Sequence, residues 1–278
     1  MSRDDELLKE AERVEEAGGL TPVPPTFPVR VWAALAILNL AAALLTVPFA
    51  RELLAQTSRV SPSPGLVVTQ AVLIYLPAAA LGLRLGRPLG LGAPLLGAWF
   101  EHRADRAMLT RSLGTGALAG LALGAVLLTS SALNPLIEAE LARLGAHMPE
   151  HPSALAGVLV SFGAGISEET LVRLFLLTAL YRLAFASRGV TGLSTNSAFW
   201  IANVVSALVF GALHFGNVLT LGVPLTALLA SSALFFNGIV GLTCGALFRS
   251  RGIESAMAAH VATDLVIHGL APALGRAP

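Results

Sequence analysis

Four side chains able to share one hydrolytic reaction lie within apolar stretches of this sequence: Glu168, His214, His260 and Asp264. They belong to three patterns, Glu168-Glu169-x-x-x-Arg173, Phe210-x-x-x-His214 and His260-x-x-x-Asp264. An ionisable group at bilayer depth costs roughly 2.5–3.5 kcal/mol on insertion scales, so such groups are expected to face one another or water and to mark function. A carboxylate base, two imidazoles and a second carboxylate suffice to activate a water molecule for hydrolysis. The same donors are also the kind that hold a divalent metal such as zinc, which lowers the pKa of bound water to about 7.

Helical spacing sorts these residues. Side chains four apart share a face, so Glu169 stacks on Arg173 in the favourable acid-before-base order and each neutralises the other where water is scarce. Glu168 is turned away by about 100° and is left as the unpaired carboxylate. The sequence Gly163-Ala164-Gly165-Ile166-Ser167 just before it lets another backbone approach closely. Phe210 shares a face with His214. On the last apolar stretch His260 and Asp264 stand together, where Asp264 is placed to accept a bond from His260 and fix its tautomer, or to stand beside it as a ligand. This gives a reacting set of Glu168, His214, His260 and Asp264, supported by Glu169, Arg173 and Phe210.

Other polar residues read more plainly. His102, His147 and His151 fall in loops and are expected to be solvated. His268 lies near the membrane boundary, with a place at the edge of the site as the lesser reading, and Asn203 shares the face of Phe210 and His214, where it could line the chamber. Asn237 reads as packing, and Glu254 as a surface charge. Cys244, the sole cysteine, excludes an internal disulfide and reads as a small buried hydrophobe. No Ser-His or Cys-His pairing points to a covalent nucleophile, although Ser167 adjoins Glu168.

The elements that must position these residues follow from composition. Of 278 residues, 55% are hydrophobic and 13% charged, against about a quarter charged in soluble domains, and the mean hydropathy is +0.73. The expected fold is an all-α polytopic membrane bundle of about seven spans, at 29–50, 66–86, 112–133, 154–182, 197–220, 223–248 and 253–272. The alternation of a β-barrel is absent. Pro88 to Phe100 is too short to span and reads as re-entrant or interfacial. Asn134-Pro135 opens a short surface helix ended by Gly145.

Residues 1–28 form an acidic preface, with seven acidic residues against three basic ones, read as a cytoplasmic helix and a Pro-rich linker (Thr21 to Pro28). Residues 29–278 form the membrane domain, with the catalytic core at about 154–272. An acidic start argues against a cleaved presequence. With the N-terminus inside, 13 Lys and Arg fall in inner segments and four in outer ones, the bias expected for a cytoplasmic N-terminus. A net charge of +1 with scattered arginines excludes a nucleic-acid face. Abundant Arg, Ala and Gly beside a single lysine, Lys9, suggest a bacterial cytoplasmic membrane. Oligomeric state leaves no mark in the sequence.

Taken in order, Glu168-Glu169-Thr-Leu-Val-Arg173, Phe210-Gly-Ala-Leu-His214 and His260-Val-Ala-Thr-Asp264 resemble the motifs of the CPBP family of intramembrane proteases, also called the Abi or type II CAAX prenyl protease group. The resemblance is confined to residues 168 to 264. It implies an intramembrane endopeptidase acting on a membrane-anchored, lipidated or leader-bearing protein. Glu168 would activate water, His214 would orient it, and His260 with Asp264 would stabilise the oxyanion or complete a metal site. Glu169 and Arg173 would hold the site together. Both metal-dependent and metal-free glutamate mechanisms are compatible with these residues. Asp264 stands where the prenyl-processing members have Asn, and an anion there sits awkwardly beside an oxyanion. Two other readings compete: a non-catalytic scaffold or bacteriocin-immunity protein, and a proton-coupled transporter using the same groups as a relay. The first does not need an unpaired buried carboxylate, and the second lacks the matching halves expected of a transporter.

Overall fold

The computed structural model describes residues 27–57, 60–129, 134–146, 149–220 and 222–274, and among them every regular element is helical. Six helices are long and apolar enough to cross a membrane: α1 (Val29–Leu54), α2 (Pro64–Leu89), α4 (Arg106–Thr129), α6 (Ala154–Ala186), α7 (Thr195–Thr220) and α8 (Ala227–Arg251). Between them lie the short α3 (Pro94–Phe100) and α5 (Asn134–Arg143). A final helix, α9, runs through residues 253–273. The acidic helix expected at the N-terminus lies outside the described residues.

Hydroxyl side chains start several helices. Ser153 accepts from Ala156 N at 3.3 Å on α6, Ser194 from Ser197 N at 3.0 Å on α7, and Thr226 from Leu229 N at 3.4 Å on α8. Each satisfies one of the amides that a helix leaves without a partner. Side chains are distributed as a lipid solvent requires. Large apolar residues such as Leu118, Leu73 and Ile37 are about 70% exposed, while Asn39, Glu169, Thr170, Arg173 and Asn203 are fully buried. The protein is an integral membrane protein.

The expected seventh span is α9, and it differs from the other six. It carries Glu254, His260, Asp264 and His268, and its first half is almost wholly enclosed by neighbouring helices. Glu254 is not a surface charge. It is buried, and its Oε1 accepts from Leu96 N at 2.8 Å, so it fastens the start of α9 to the start of α3. The stretch Pro88 to Phe100 turns at Gly90 (φ 66°) before forming α3, the short piece expected there.

The enclosure of α9 rests on a row of small residues. Gly116, Gly120 and Gly124 lie four apart along one face of α4, and this face packs directly against the backbone of α9 at Ser255, Ala259 and Thr263. Thr263 Oγ1 donates to Gly120 O at 3.1 Å across the contact. Without a hydrophobic drive between helices in lipid, close backbone approach supplies the packing energy. A methyl group at Gly120 would collide with the carbonyl of Ala259, one residue from His260. Gly120→Ala should therefore cost about 1–3 kcal/mol. Gly238→Ala on α8, where a Cβ meets nothing within 4 Å, should be neutral or slightly stabilising. Denaturant titration of the two variants in micelles checks the contrast.

Candidate active site

Glu168 and Glu169 stand where α6 changes register. The α-helical part ends at Glu169 and a π-helical stretch, Thr170–Leu177, follows. On α9 the same change occurs after Asp264, with a π-helical stretch over Leu265–Leu270. Such widened turns are rare and concentrate at functional sites. Asn39 of α1 buttresses the first of them. It is fully buried, and its Nδ2 donates to Thr170 Oγ1 at 3.1 Å and to Leu35 O at 2.8 Å.

The two glutamates occupy different surroundings. Glu169 is completely buried, and its Oε1 lies 2.9 Å from Arg173 Nη1. The same oxygen accepts from His260 Nδ1 at 2.7 Å, joining α6 to α9. Glu168 keeps its side chain about a third exposed, and its Oε2 stands 3.8 Å from His260 Nε2. Tyr75, on a π-helical turn of α2, is near enough to Glu168 to interact with it electrostatically.

His260 is therefore gripped from one side and open on the other. A carboxylate accepts only, so the Nδ1 that faces Glu169 carries the hydrogen and Nε2 turns to Glu168 and Asp264. Of the two roles expected for Asp264, the geometry fits standing beside His260 rather than fixing its tautomer. Asp264 Oδ2 is 3.6 Å from Nε2, beyond a hydrogen bond, and Glu169 makes the fixing bond instead. Separations of 3.6 and 3.8 Å suit a bridging water.

Phe210 organises the third motif. The Arg173 guanidinium lies 4.3 Å from its ring centre, and its edges meet the rings of His214 at 4.9 Å and His260 at 5.7 Å. His214 Nδ1 donates to Phe210 O at 2.9 Å, which leaves Nε2 with a lone pair in the neutral ring. His214 and Glu168 both lie within electrostatic reach of Asp264. The structure thus brings all four residues of the reacting set to one neighbourhood.

Several residues read as bland from the sequence have other places. Cys244 is buried as expected, but its Sγ, 3.7 Å from Ala256 O, is also grouped with Glu169 and His260. His151 is not solvated: its Nε2 lies 3.0 Å from His268 Nδ1 and the two rings are stacked. Asn203 does not line the chamber, because it is fully buried against Gly245 and donates to Leu242 O at 3.1 Å, joining α7 to α8. His102 is exposed, and His147 lies outside the described residues.

Among the described residues, the group whose donor atoms all lie within 4.8 Å of one another is Glu169, Cys244 and His260. Carboxylate, thiolate and imidazole form a donor set that can hold zinc. Glu169 Oε1, however, already serves Arg173 and His260, so a cation bound there would share its carboxylate with a buried guanidinium. The expected set of Glu168, His214, His260 and Asp264 is not gathered as tightly. Glu169 Oε2 is buried and has no hydrogen-bond partner among the described residues, so the Glu169, Cys244 and His260 group could hold a metal ion.

Residues 150–266 match the family described as type II CAAX prenyl endopeptidase, Rce1-like. This segment is similar to Rce1-like domains. It takes in α6, α7, α8 and most of α9, and so every residue of the reacting set, while α1 to α5 and His268 fall outside it. The Rce1-like family is a protease family, and the match supports a hydrolase in general. No curated protein and no solved structure matches the chain.

Proposed function

We propose that this protein is an intramembrane endopeptidase that hydrolyses a peptide bond in a membrane-anchored, lipidated or leader-bearing protein. The observation that carries this reading is the His260 side chain, with Nδ1 committed to Glu169 and Nε2 facing Glu168 and Asp264 at water-bridging distance. In the proposed reaction Glu168 takes a proton from water while His214 Nε2 accepts a hydrogen bond from the water's other hydrogen and so orients it. The hydroxide oxygen bonds to the carbonyl carbon. When His260 carries its second proton, the Nε2–H faces the gap and serves the oxyanion that forms. Glu168 then returns its proton to the leaving nitrogen as the C–N bond breaks, giving a carboxylic acid and an amine, and the acid passes its proton to the amine or to water.

Asp264 bears on specificity. Its carboxylate would repel the oxyanion if it faced it directly, so its proposed role is to hold the protonated His260. Purified protein in vesicles, supplied with prenylated and unprenylated membrane-anchored peptides, should release a C-terminal fragment detectable by mass spectrometry. Cleavage should survive exhaustive chelation, and Asp264→Asn should retain activity within about tenfold, since the amide oxygen still presents a partial negative charge about 3.6 Å from His260 Nε2. Folded protein that cleaves no peptide class would leave the scaffold reading standing. Activity lost on chelation and restored by zinc would move the chemistry to a metal.

A further inference from the structure

A cavity of about 340 Å3 opens at the end of the bundle where α1 and α9 begin and α2 and α8 end. Its wall carries Arg30, Arg87, Arg103 and Arg249 against one acid, Glu101. Arg103 is paired with Glu101, and Arg249 donates to Asn196 Oδ1 at 2.8 Å while stacking on Phe199. Among the described residues no carboxylate pairs with Arg30 or Arg87. The floor is apolar, with Val31, Leu83, Leu91 and Phe248.

Two adjoining hollows share these arginines. One, lined by Arg30, Trp99 and Phe100, places an exposed tryptophan at the rim, the usual position of an aromatic side chain at a membrane surface. The other runs from Arg84 and Arg87 along Phe27, Ala80, Leu81 and Leu83 between α1 and α2, and is apolar away from its arginines. Unpaired cations at the mouth with an apolar groove leading off along the helices match the two halves of an amphiphile. Basic pockets between membrane helices are known sites for anionic headgroups.

We propose that this pocket binds an anionic phospholipid, its phosphodiester headgroup held by Arg30 and Arg87 and one acyl chain lying in the groove between α1 and α2. The groove decides for a lipid over a free phosphate, which would have no use for it. Neither Glu168 nor His260 lines the pocket, which is independent of the hydrolytic reading.

Delipidated full-length protein in detergent, titrated with phosphatidylglycerol and phosphatidylcholine and followed by native mass spectrometry, tests this. Phosphatidylglycerol should bind one per chain and about tenfold more tightly than phosphatidylcholine. Arg30→Gln with Arg87→Gln should weaken it about tenfold, whereas Arg106→Gln with Arg182→Gln should leave it unchanged. Millimolar inorganic phosphate should not displace it. Equal loss in both pairs of variants would reduce the effect to general surface charge and overturn the site. Equal binding of the two lipids, or displacement by inorganic phosphate, would overturn the lipid assignment. Binding that appears only after Asp4, Asp5, Glu6, Glu10, Glu12, Glu15 and Glu16 are all neutralised would give the pocket to the chain's own acidic segment instead.

Discussion

Replacing Glu168 by Gln is expected to lower the rate of peptide-bond hydrolysis about 10^3-fold while leaving the fold intact, the loss typical of a removed general base. The substitution keeps size and polarity but cannot take a proton from water. Glu168 has little structural work to lose. Its side chain is about a third exposed and its nearest ionic partner, His260 Nε2, is 3.8 Å away. Because the base acts in the transition state, the loss should fall on kcat with KM little changed. Unfolding should shift by less than about 0.5 kcal/mol, as for other substitutions away from buried networks. Retained cleavage in Glu168→Gln, with the product verified, would remove this residue from the reaction. His214→Ala should fall between that variant and the wild type, since it orients the water without taking its proton.

The contrast between adjacent glutamates shows how much of the site the sequence carried. Spacing alone separated Glu169 from Glu168, because the 100° turn between neighbours sends one carboxylate to Arg173 and the other away. Spacing could not show that Glu169 also holds His260, a contact between residues 91 apart that depends on how α6 packs against α9. The same i, i+4 rule that found the Glu169–Arg173 pair made Asp264 the obvious partner of His260. It placed Asp264 beside His260, 3.6 Å from Nε2, but could not show that a long-range acceptor holds Nδ1, because no local pattern announces such an acceptor.

Helix packing was legible where its signal was used and missed where it was not. The close approach implied by Gly163 and Gly165 is realised against α1 and against Val261 of α9. The longer row of Gly116, Gly120 and Gly124, at the same spacing, carries the α4–α9 contact and was as visible in the sequence. Span counting by apolar length placed six helices well. It treated α9 as their equal, although Glu254, His260, Asp264 and His268 make it a helix that must be enclosed by others. Glu254 misled for a related reason: a carboxylate next to two arginines at a boundary looks solvated unless the amide it caps, Leu96 N, is known to lie above it. The π-helical turns after Glu169 and Asp264 left no mark at all, since a 3.6-residue pattern cannot show where one extra residue enters a turn.

Glu169→Gln should be the most destabilising of the single substitutions considered. Arg173 has no exposed surface, and its charge is compensated by Glu169 at 2.9 Å and by the face of Phe210 at 4.3 Å. Neutralising the carboxylate leaves a guanidinium buried without its counter-ion, at a cost of about 3–5 kcal/mol. Arg173→Met should cost a similar amount, because it strands the carboxylate instead. The double variant Glu169→Leu, Arg173→Met removes both charges together and should recover most of the lost stability, as replacement of a whole buried pair by apolar side chains often does. It should not recover activity. His260 would have lost the acceptor that fixes its tautomer, so Nε2 would no longer be held toward Glu168 and Asp264. Denaturant titration of the four proteins and a cleavage assay on each therefore read different things. Stability and activity that return together in the double variant would show that the pair acts only through folding. Stability restored without activity would show that Glu169 serves the reaction by orienting His260, a role distinct from that of the neighbouring Glu168.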